Sequence, residues 1–172
     1  DYDGDGDADL AFYRPSNGVW AIRNQPWVHF PTQTGDVLLP RDYDGDGDID
    51  IAFYRPSTGV WVIRNQPWVH FPALAGDVLL PADWDGDGDA DLGFYRPSTG
   101  VWVLRNLPWV HLPALAGDVL LPADWDADGD TDIALYRPSN GVWVIHNQPW
   151  VHYPGLAGDI PLPFIRLSSV VP

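Results

Sequence analysis

Five of the nine residues in the segment Asp42-Tyr43-Asp44-Gly45-Asp46-Gly47-Asp48-Ile49-Asp50 are aspartate. The chain contains three further copies, at residues 1–9, 83–91 and 124–132. Ionised carboxylates that lie side by side repel one another, and a folded chain tolerates such a cluster only if something offsets the charge. A bound cation is the simplest candidate, so the stretch predicts four cation sites.

The spacing of the carboxylates indicates which cation these loops bind. Asp occupies loop positions 1, 3, 5 and 9, and Gly occupies position 6, as in the first nine positions of an EF-hand calcium loop. In that loop, position 7 contributes its backbone carbonyl. Oxygen ligands on a flexible, carboxylate-rich loop favour calcium over magnesium. We therefore predict about four calcium ions, one per copy, with position 7 binding through its carbonyl. The candidate metal-site residues are Asp1, Asp3, Asp5, Asp7, Asp9, Asp42, Asp44, Asp46, Asp48, Asp50, Asp83, Asp85, Asp87, Asp89, Asp91, Asp124, Asp126, Asp128, Asp130 and Asp132.

Two features of the loop separate it from a complete EF-hand. Position 12, which should be a bidentate Glu, is Phe12, Phe53, Phe94 or Leu135, and the flanks are typical of strands. Gly at position 6 is present in every copy, whereas Ala127 replaces the Gly at position 4 in the last copy. Position 6 is therefore predicted to need the special backbone angles. The alternative, a solvated acidic loop without metal, is disfavoured because the spacing recurs four times.

The composition of the chain limits which partners it can bind and indicates where it is located. The chain has 172 residues and a formal net charge of −15, and it contains no Cys or Met. Without a basic patch, nucleic acid is not an expected partner, and no apolar run has the length of a membrane span. Weak sites built from several Asp residues fill at the millimolar calcium found outside cells. We therefore expect an extracellular protein, either secreted or at the cell surface.

The whole chain is a tandem repeat of 41 residues, with units at 1–41, 42–82, 83–123 and 124–163, followed by an apolar tail at 164–172. In the third unit, whose first strand precedes the acidic loop and therefore lies before residue 83, strands are predicted at 77–81, 90–95, 101–105 and 109–112, with a turn at 96–100. Each unit is therefore predicted to be a four-stranded antiparallel meander whose metal loop joins its first two strands. A period near forty residues with several short strands is typical of a propeller or a similar array.

The repeated pattern Asp-Tyr-Asp-Gly-Asp-Gly-Asp-x-Asp-Leu/Ile-Ala-Phe-Tyr-Arg-Pro-Ser-x-Gly-Val-Trp resembles the FG-GAP/VCBS-type calcium-binding repeats of bacterial secreted proteins. It is also similar to the calcium-binding blades of the integrin α-subunit propeller. The resemblance covers essentially residues 1–163. It implies an all-β fold, a β-propeller with calcium in a hairpin loop of each blade, usually on an extracellular protein. The integrin propeller has seven blades, whereas this chain supplies four units.

One predicted strand at the end of the repeats has no unit of its own, and it could close such a propeller. Residues 158–163 align with residues 76–81, the first strand of the third unit, but no unit follows them, and unit one has no first strand of its own. The spare strand could complete unit one within the chain, or it could complete unit one of a neighbouring molecule. The second arrangement would run head to tail into a ring or a filament. The tail at 164–172 could be a fifth strand, a plug or an intermolecular staple.

Other residues recur in every unit. Trp20, Trp27 and their equivalents could bind sugars, but we expect them to pack between sheets. His29, His70, His111 and His152 recur in register, whereas a catalytic His should be singular, so we predict no enzyme. The Arg that precedes each Pro-Ser is expected to reach a carboxylate or the loop carbonyls. These Arg residues are Arg14, Arg55, Arg96 and Arg137.

Three classes of function are compatible with these features. The first is a calcium-stabilised structural or adhesive protein that self-associates as a homo-oligomer or filament. The second is a glycan-binding, lectin-like propeller, and the third is an accessory module of a secreted hydrolase. The near-identity of the units and the spare strand favour the first class.

Overall fold

The structure is a computed structural model that describes residues 1–163 of the chain. The tail predicted at 164–172 lies outside the described residues. Within them there are fifteen strands and no helix. The strands are β1 Ala11–Arg14, β2 Val19–Ile22, β3 Val28–His29, β4 Val37–Leu38, β5 Ala52–Arg55, β6 Val60–Ile63, β7 Val69–His70, β8 Val78–Leu79, β9 Gly93–Arg96, β10 Val101–Leu104, β11 Val110–His111, β12 Val119–Leu120, β13 Ala134–Arg137, β14 Val142–Ile145 and β15 Val151–His152.

The strands form four antiparallel sheets in which neighbours in space are neighbours in sequence. The first sheet is β1-β2-β3, and the others are β4-β5-β6-β7, β8-β9-β10-β11 and β12-β13-β14-β15. The predicted meander is confirmed, with the acidic loop between its first two strands. The outer strands are shorter than predicted, and β8 has only two residues. Gly76 and Pro81 flank it, and both residue types interrupt regular pairing.

A closed ring is not formed within the described chain. In the first sheet β1 pairs only with β2, and residues 153–163 contain no strand. Ile160 and Leu162 of the spare segment are exposed rather than packed on unit one. The within-chain alternative for closure is therefore not seen among residues 1–163. Closure through a neighbouring molecule, and with it the propeller, stays a prediction.

Each unit packs around one tryptophan. Trp102 is fully buried, its ring lies 5.2 Å from that of Tyr95, and its indole N–H donates to the carbonyl of Leu112 at 3.2 Å. The Tyr95 hydroxyl accepts the backbone N–H of Ala114 at 2.7 Å. Trp20 and Trp61 are buried in the same way, so the predicted packing role is confirmed for three of the four tryptophans, whereas Trp143 of unit four is partly exposed.

Successive units share their apolar core. Leu92, from unit three, belongs to the buried cluster of unit two, and Ile51 and Ile133 extend the clusters of units one and three in the same way. An aromatic pair adds to the joint between units two and three, where the rings of Phe71 and Phe94 are 5.1 Å apart. The core is therefore a series of joints between neighbours, as in other repeat proteins.

A buried ion pair crosses from the first to the second strand region of each later unit. The guanidinium Nη2 of Arg55 lies 2.8 Å from Asp36 Oδ2, and the side chain of this aspartate is 2% exposed. The pairs Asp77–Arg96 and Asp118–Arg137 repeat this geometry. The expectation that these arginines reach a carboxylate is confirmed for three of the four. Arg14 instead lies 5.2 Å from the Trp27 ring.

Candidate metal centres

The backbone of each acidic loop curls around the carboxylate at position 1. In the second copy Asp42 accepts the N–H of Gly45 at 2.7 Å and that of Gly47 at 3.0 Å. A β-bridge between Arg41 and Asp50 closes the hairpin. Gly47, at position 6, has φ = 94°, which confirms the predicted special angle. Position 4 also has positive φ in every copy, including 66° at Ala127, so the prediction that position 6 alone is special was wrong.

Every loop gathers carboxylate oxygens into a group that could hold a metal ion. Three aspartates in each loop offer oxygens that all lie within 4.8 Å of one another. They occupy positions 1, 3 and 9 in the last three copies and positions 1, 3 and 5 in the first. The groups are Asp1, Asp3 and Asp5; Asp42, Asp44 and Asp50; Asp83, Asp85 and Asp91; and Asp124, Asp126 and Asp132.

No loop brings together all four predicted side chains. Position 5 joins the group only in the first copy, through Asp5, and position 9 joins it only in the other three. Position 7, represented by Asp48, stays outside each group, which fits its predicted role through the backbone carbonyl. Each predicted loop therefore contains one group of carboxylates that could hold an ion, and the side chains common to all four groups are those at positions 1 and 3.

The aspartate at position 9 is held by the start of its own loop. Asp91 Oδ2 accepts the N–H of Trp84 at 3.1 Å, and Asp50 Oδ2 accepts the N–H of Tyr43 at 3.0 Å. The other oxygen of Asp91 accepts no hydrogen bond within residues 1–163 and is available to a cation.

Burial and crowding make the charge at position 9 costly. Burial raises the pKa of Asp91 to about 6, and the carboxylates of Asp85, Asp89 and Asp87 add to the rise, while the N–H of Trp84 opposes it. Burial likewise raises the pKa of Asp50 and Asp132. A bound cation would reverse this preference for the neutral form, because it favours the ionised carboxylates that surround it.

The four loops also contact one another in succession. The N–H of Ala90 donates to the carbonyl of Asp42 in the preceding loop at 2.7 Å, and the other two neighbouring pairs repeat this bond. A Cβ on Gly4 would lie 2.5 Å from Asp48 Oδ1, so a larger residue there would require the Asp48 carboxylate to move. Burial, then Asp46, then Asp3 of the neighbouring loop raise the pKa of Asp48. The loop-to-loop contact was not predicted from the sequence.

The second tryptophan set lies on the surface. Trp27, Trp68, Trp109 and Trp150 are 65–68% exposed, so the expectation that they pack between sheets was wrong. Each follows a proline and precedes a two-residue edge strand, where no neighbouring sheet covers it. The repeated histidines, including His29 and His70, are also exposed.

The Asn that lies three residues before each exposed tryptophan has a local backbone role that the sequence did not reveal. Asn24, Asn65 and Asn106 have φ near +60°, a left-handed conformation that Asn tolerates better than most residues. Their recurrence is therefore explained by the turn before the exposed tryptophan, without a ligand.

Among residues 1–163 there is no helix with the length and apolar character needed to cross a membrane. Comparison of the chain with protein-family models, with curated proteins and with solved structures finds no match.

Proposed function

We propose that the chain is a calcium-binding structural or adhesive repeat protein that acts outside the cell and is not an enzyme. The observation that carries this proposal is the recurrence of one carboxylate group per unit, with oxygens within 4.8 Å of one another. The resemblance to FG-GAP/VCBS-type repeats supports the same function.

Calcium is the proposed ion because of the ligand chemistry. Every candidate side chain is an aspartate, and the backbone adds only carbonyl oxygens. Hard cations prefer such ligands, and calcium accepts the irregular geometry of a flexible loop more readily than magnesium does.

Ion binding would couple to folding. Successive loops contact one another, and burial followed by the neighbouring carboxylates raises the pKa of Asp91, so its ionised form opposes folding when no cation offsets the charge. A ligand that binds only the folded state adds about 2.7 kcal/mol per site at a hundred times its dissociation constant. Four sites would then add about 11 kcal/mol, which is comparable to the net stability of a domain.

The test is a calcium titration by calorimetry, combined with thermal melting in calcium, in magnesium and in chelator. We expect about four calcium ions per chain, a large fall of the melting temperature in chelator, and weak rescue by magnesium. Identical melting in calcium and in chelator would contradict the proposal.

One pair of variants assigns the ligands within a loop. Asp85→Asn removes a carboxylate from the group in loop three and should lower the calcium stoichiometry by one. Asp89→Asn, in the same loop, is the matched control, because its side chain lies outside the group and its backbone carbonyl is kept. Equal loss of binding in both variants would show that the proposed ligand set is wrong.

A second candidate function is glycan binding, which the exposed tryptophans favour. Four indoles at equivalent positions, each 65–68% exposed, could provide stacking surfaces for sugar rings. A glycan array, repeated with Trp68→Ala, tests it. Binding that Trp68→Ala weakens would support this function, and an array without hits would count against it.

A further inference from the structure

The contacts between successive units, called joints here, show which surfaces of a unit are covered when it has a neighbour on each side. At the joint between units one and two, Ile51 packs into the cluster that contains Trp20 and Ile22, and the Phe53 ring lies 5.5 Å from that of Phe30. Leu92 and Ile133 take the place of Ile51 at the later joints, and Phe71 and Phe94 repeat the ring pair at the second joint. One face of each unit therefore fits the opposite face of its neighbour.

Both of these faces are bare at the ends of the described chain. Leu10 and Phe12, the equivalents of Ile51 and Phe53, are 68% and 58% exposed, whereas Ile51 and Phe53 are 5% and 3% exposed. At the other end, Tyr153, the equivalent of Phe30, is 73% exposed. It lines an apolar cleft of about 280 Å³ with Trp125, Trp143, Ile145 and Val151.

The ends also carry the two halves of the repeated ion pair. Asp159 continues the series Asp36, Asp77 and Asp118, and Arg14 begins the series of their arginine partners. Neither Asp159 nor Arg14 forms an ion pair within residues 1–163. Asp159 already accepts the N–H of Leu156 at 2.7 Å, as Asp77 accepts that of Leu74, so it has the local geometry of the paired aspartates.

The backbone of the spare segment is compatible with pairing against β1. In unit three the N–H of Leu80 donates to the carbonyl of Gly93 at 2.9 Å, and Leu162 and Ala11 are the equivalent residues. Pro161 takes the place of Leu79. Because adjacent N–H groups of a strand point to opposite sides, the N–H that Pro161 lacks would face away from β1.

The acidic loop of unit four does not prevent a following loop from docking. Ala127 carries a methyl group where the earlier loops have glycine. A Cβ at the equivalent Gly45 and Gly86 would meet the next loop at 3.7 and 3.5 Å, which is ordinary van der Waals contact, and at Gly4 it would meet only the flexible carboxylate of Asp48. The N–H of Ala8 would then donate to the Asp124 carbonyl, as Ala90 donates to Asp42.

We propose that unit four of one chain docks onto unit one of a second copy of this chain, with Asp159 paired to Arg14 and Leu10 and Phe12 covering the Trp143 cleft. The second copy is the occupant because each end presents the surface that the other end needs, in apolar shape and in charge. The joint is heterologous, so repetition gives a linear or closed chain of molecules. This deepens the structural role under "Proposed function" and rests on it.

The experiment uses charge exchange, measured by sedimentation velocity in calcium across a range of protein concentrations. Arg14→Glu and Asp159→Arg each place like charges at every joint, and each should weaken association on the order of tenfold or more. An equal mixture of the two variants restores opposite charges at every joint, so it should regain wild-type association. Electron microscopy of the wild type should show linear or ring-shaped assemblies.

An apolar substitution provides a second, independent readout. Leu10→Ser should weaken association, whereas Leu74→Ser is the matched control, an exposed leucine that lies away from both end faces. A wild type that stays monomeric at all concentrations, as a ring closed within one chain would, overturns the joint. Association that is unchanged in Arg14→Glu, Asp159→Arg and Leu10→Ser would overturn it as well.

Calcium binding separates failure of the joint from failure of the proposed function. Monomers that still bind about four calcium ions reject the joint alone. Loss of the predicted calcium binding, with association unchanged, rejects the proposed function alone.

Discussion

Units two and three differ from the end units in burial although all four have nearly the same sequence. Phe53 and Phe94 are buried, whereas Phe12 is exposed at the same position of the repeat. Trp102 is fully buried, whereas its equivalent Trp143 remains partly open to solvent. The difference comes from the neighbours on either side of a unit and not from the unit's own residues.

This contrast indicates how stability is distributed. In a repeat protein each unit contacts only its neighbours, so the free energy of unfolding is approximately a sum of unit and joint contributions. Here three joints carry shared apolar clusters, and two faces carry none within the described chain. The same substitution should therefore have very different effects at an inner and an end position.

The largest expected difference is at the aromatic position of the joint. Phe94→Ala removes a buried ring that packs against Phe71 and should lower the free energy of unfolding by about 3–5 kcal/mol. Phe12→Ala, its matched control, should cost well under that in dilute protein because its ring is exposed. Urea denaturation in calcium measures both. Equal costs would show that the joints do not stabilise the fold.

A smaller difference is expected for the ion pair. Asp77→Asn leaves the Arg96 guanidinium largely buried without its carboxylate and should cost about 2–3 kcal/mol. Asp159→Asn is the control, since Asp159 has the same bond to a backbone N–H but no arginine partner in the described chain. Chemical denaturation of both variants in dilute protein tests the difference, and a neutral Asp77→Asn would contradict it.

Much of the fold follows from local sequence signals. Four antiparallel meanders are predicted by three signals. These are the period of 41 residues, the glycines and prolines at the turns between strands, and the alternation of residue types around Trp102. The joints between units could not be predicted, because strand patterns do not reveal which face meets the next unit. The fixed separation of 19 residues between Asp36 and Arg55 was a signal for the ion pair, but sequence alone did not connect the two.

For the candidate site, the sequence predicted where each carboxylate group lies but not which side chains form it. The spacing of aspartates located every carboxylate group, because ligand positions in a short loop are fixed by the local turn. The distinction between Asp5 and Asp9 in the first loop depends on side-chain orientation, which the spacing does not determine. Trp27 is exposed because no sheet covers it, whereas Trp20, Trp61 and Trp102, of the same residue type, are buried.

Loop four offers a test of the backbone strain at position 4. Ala127 has φ = 66°, a conformation that costs a residue with a Cβ on the order of 1 kcal/mol and costs glycine little. Ala127→Gly should therefore raise the free energy of unfolding by about 1 kcal/mol. The converse change in loop three, Gly86→Ala, should lower it by a similar amount. Thermal melting in saturating calcium measures both changes, and effects of the same sign would contradict the strain argument.

The smallest expected effect is a pH dependence that changes sign with calcium. Without calcium, the pKa of Asp91 is raised from 3.8 to about 6, so between these values the folded chain binds more protons than the unfolded chain. Stability should then fall as the pH rises through that window. The effect is modest because the carboxyl is only partly buried, so solvent screens its charge.

With calcium, the same carboxylates must lose their protons to bind the ion, so stability should rise with pH over the same range. Urea midpoints measured across the window, with calcium and with chelator, test both signs. Asp91→Asn serves as the control, since it removes the largest titrating contribution in loop three and should flatten the calcium-free curve. If the calcium-free protein instead gains stability as the pH rises, ionisation of the loop carboxylates does not destabilise the fold, and the prediction is wrong.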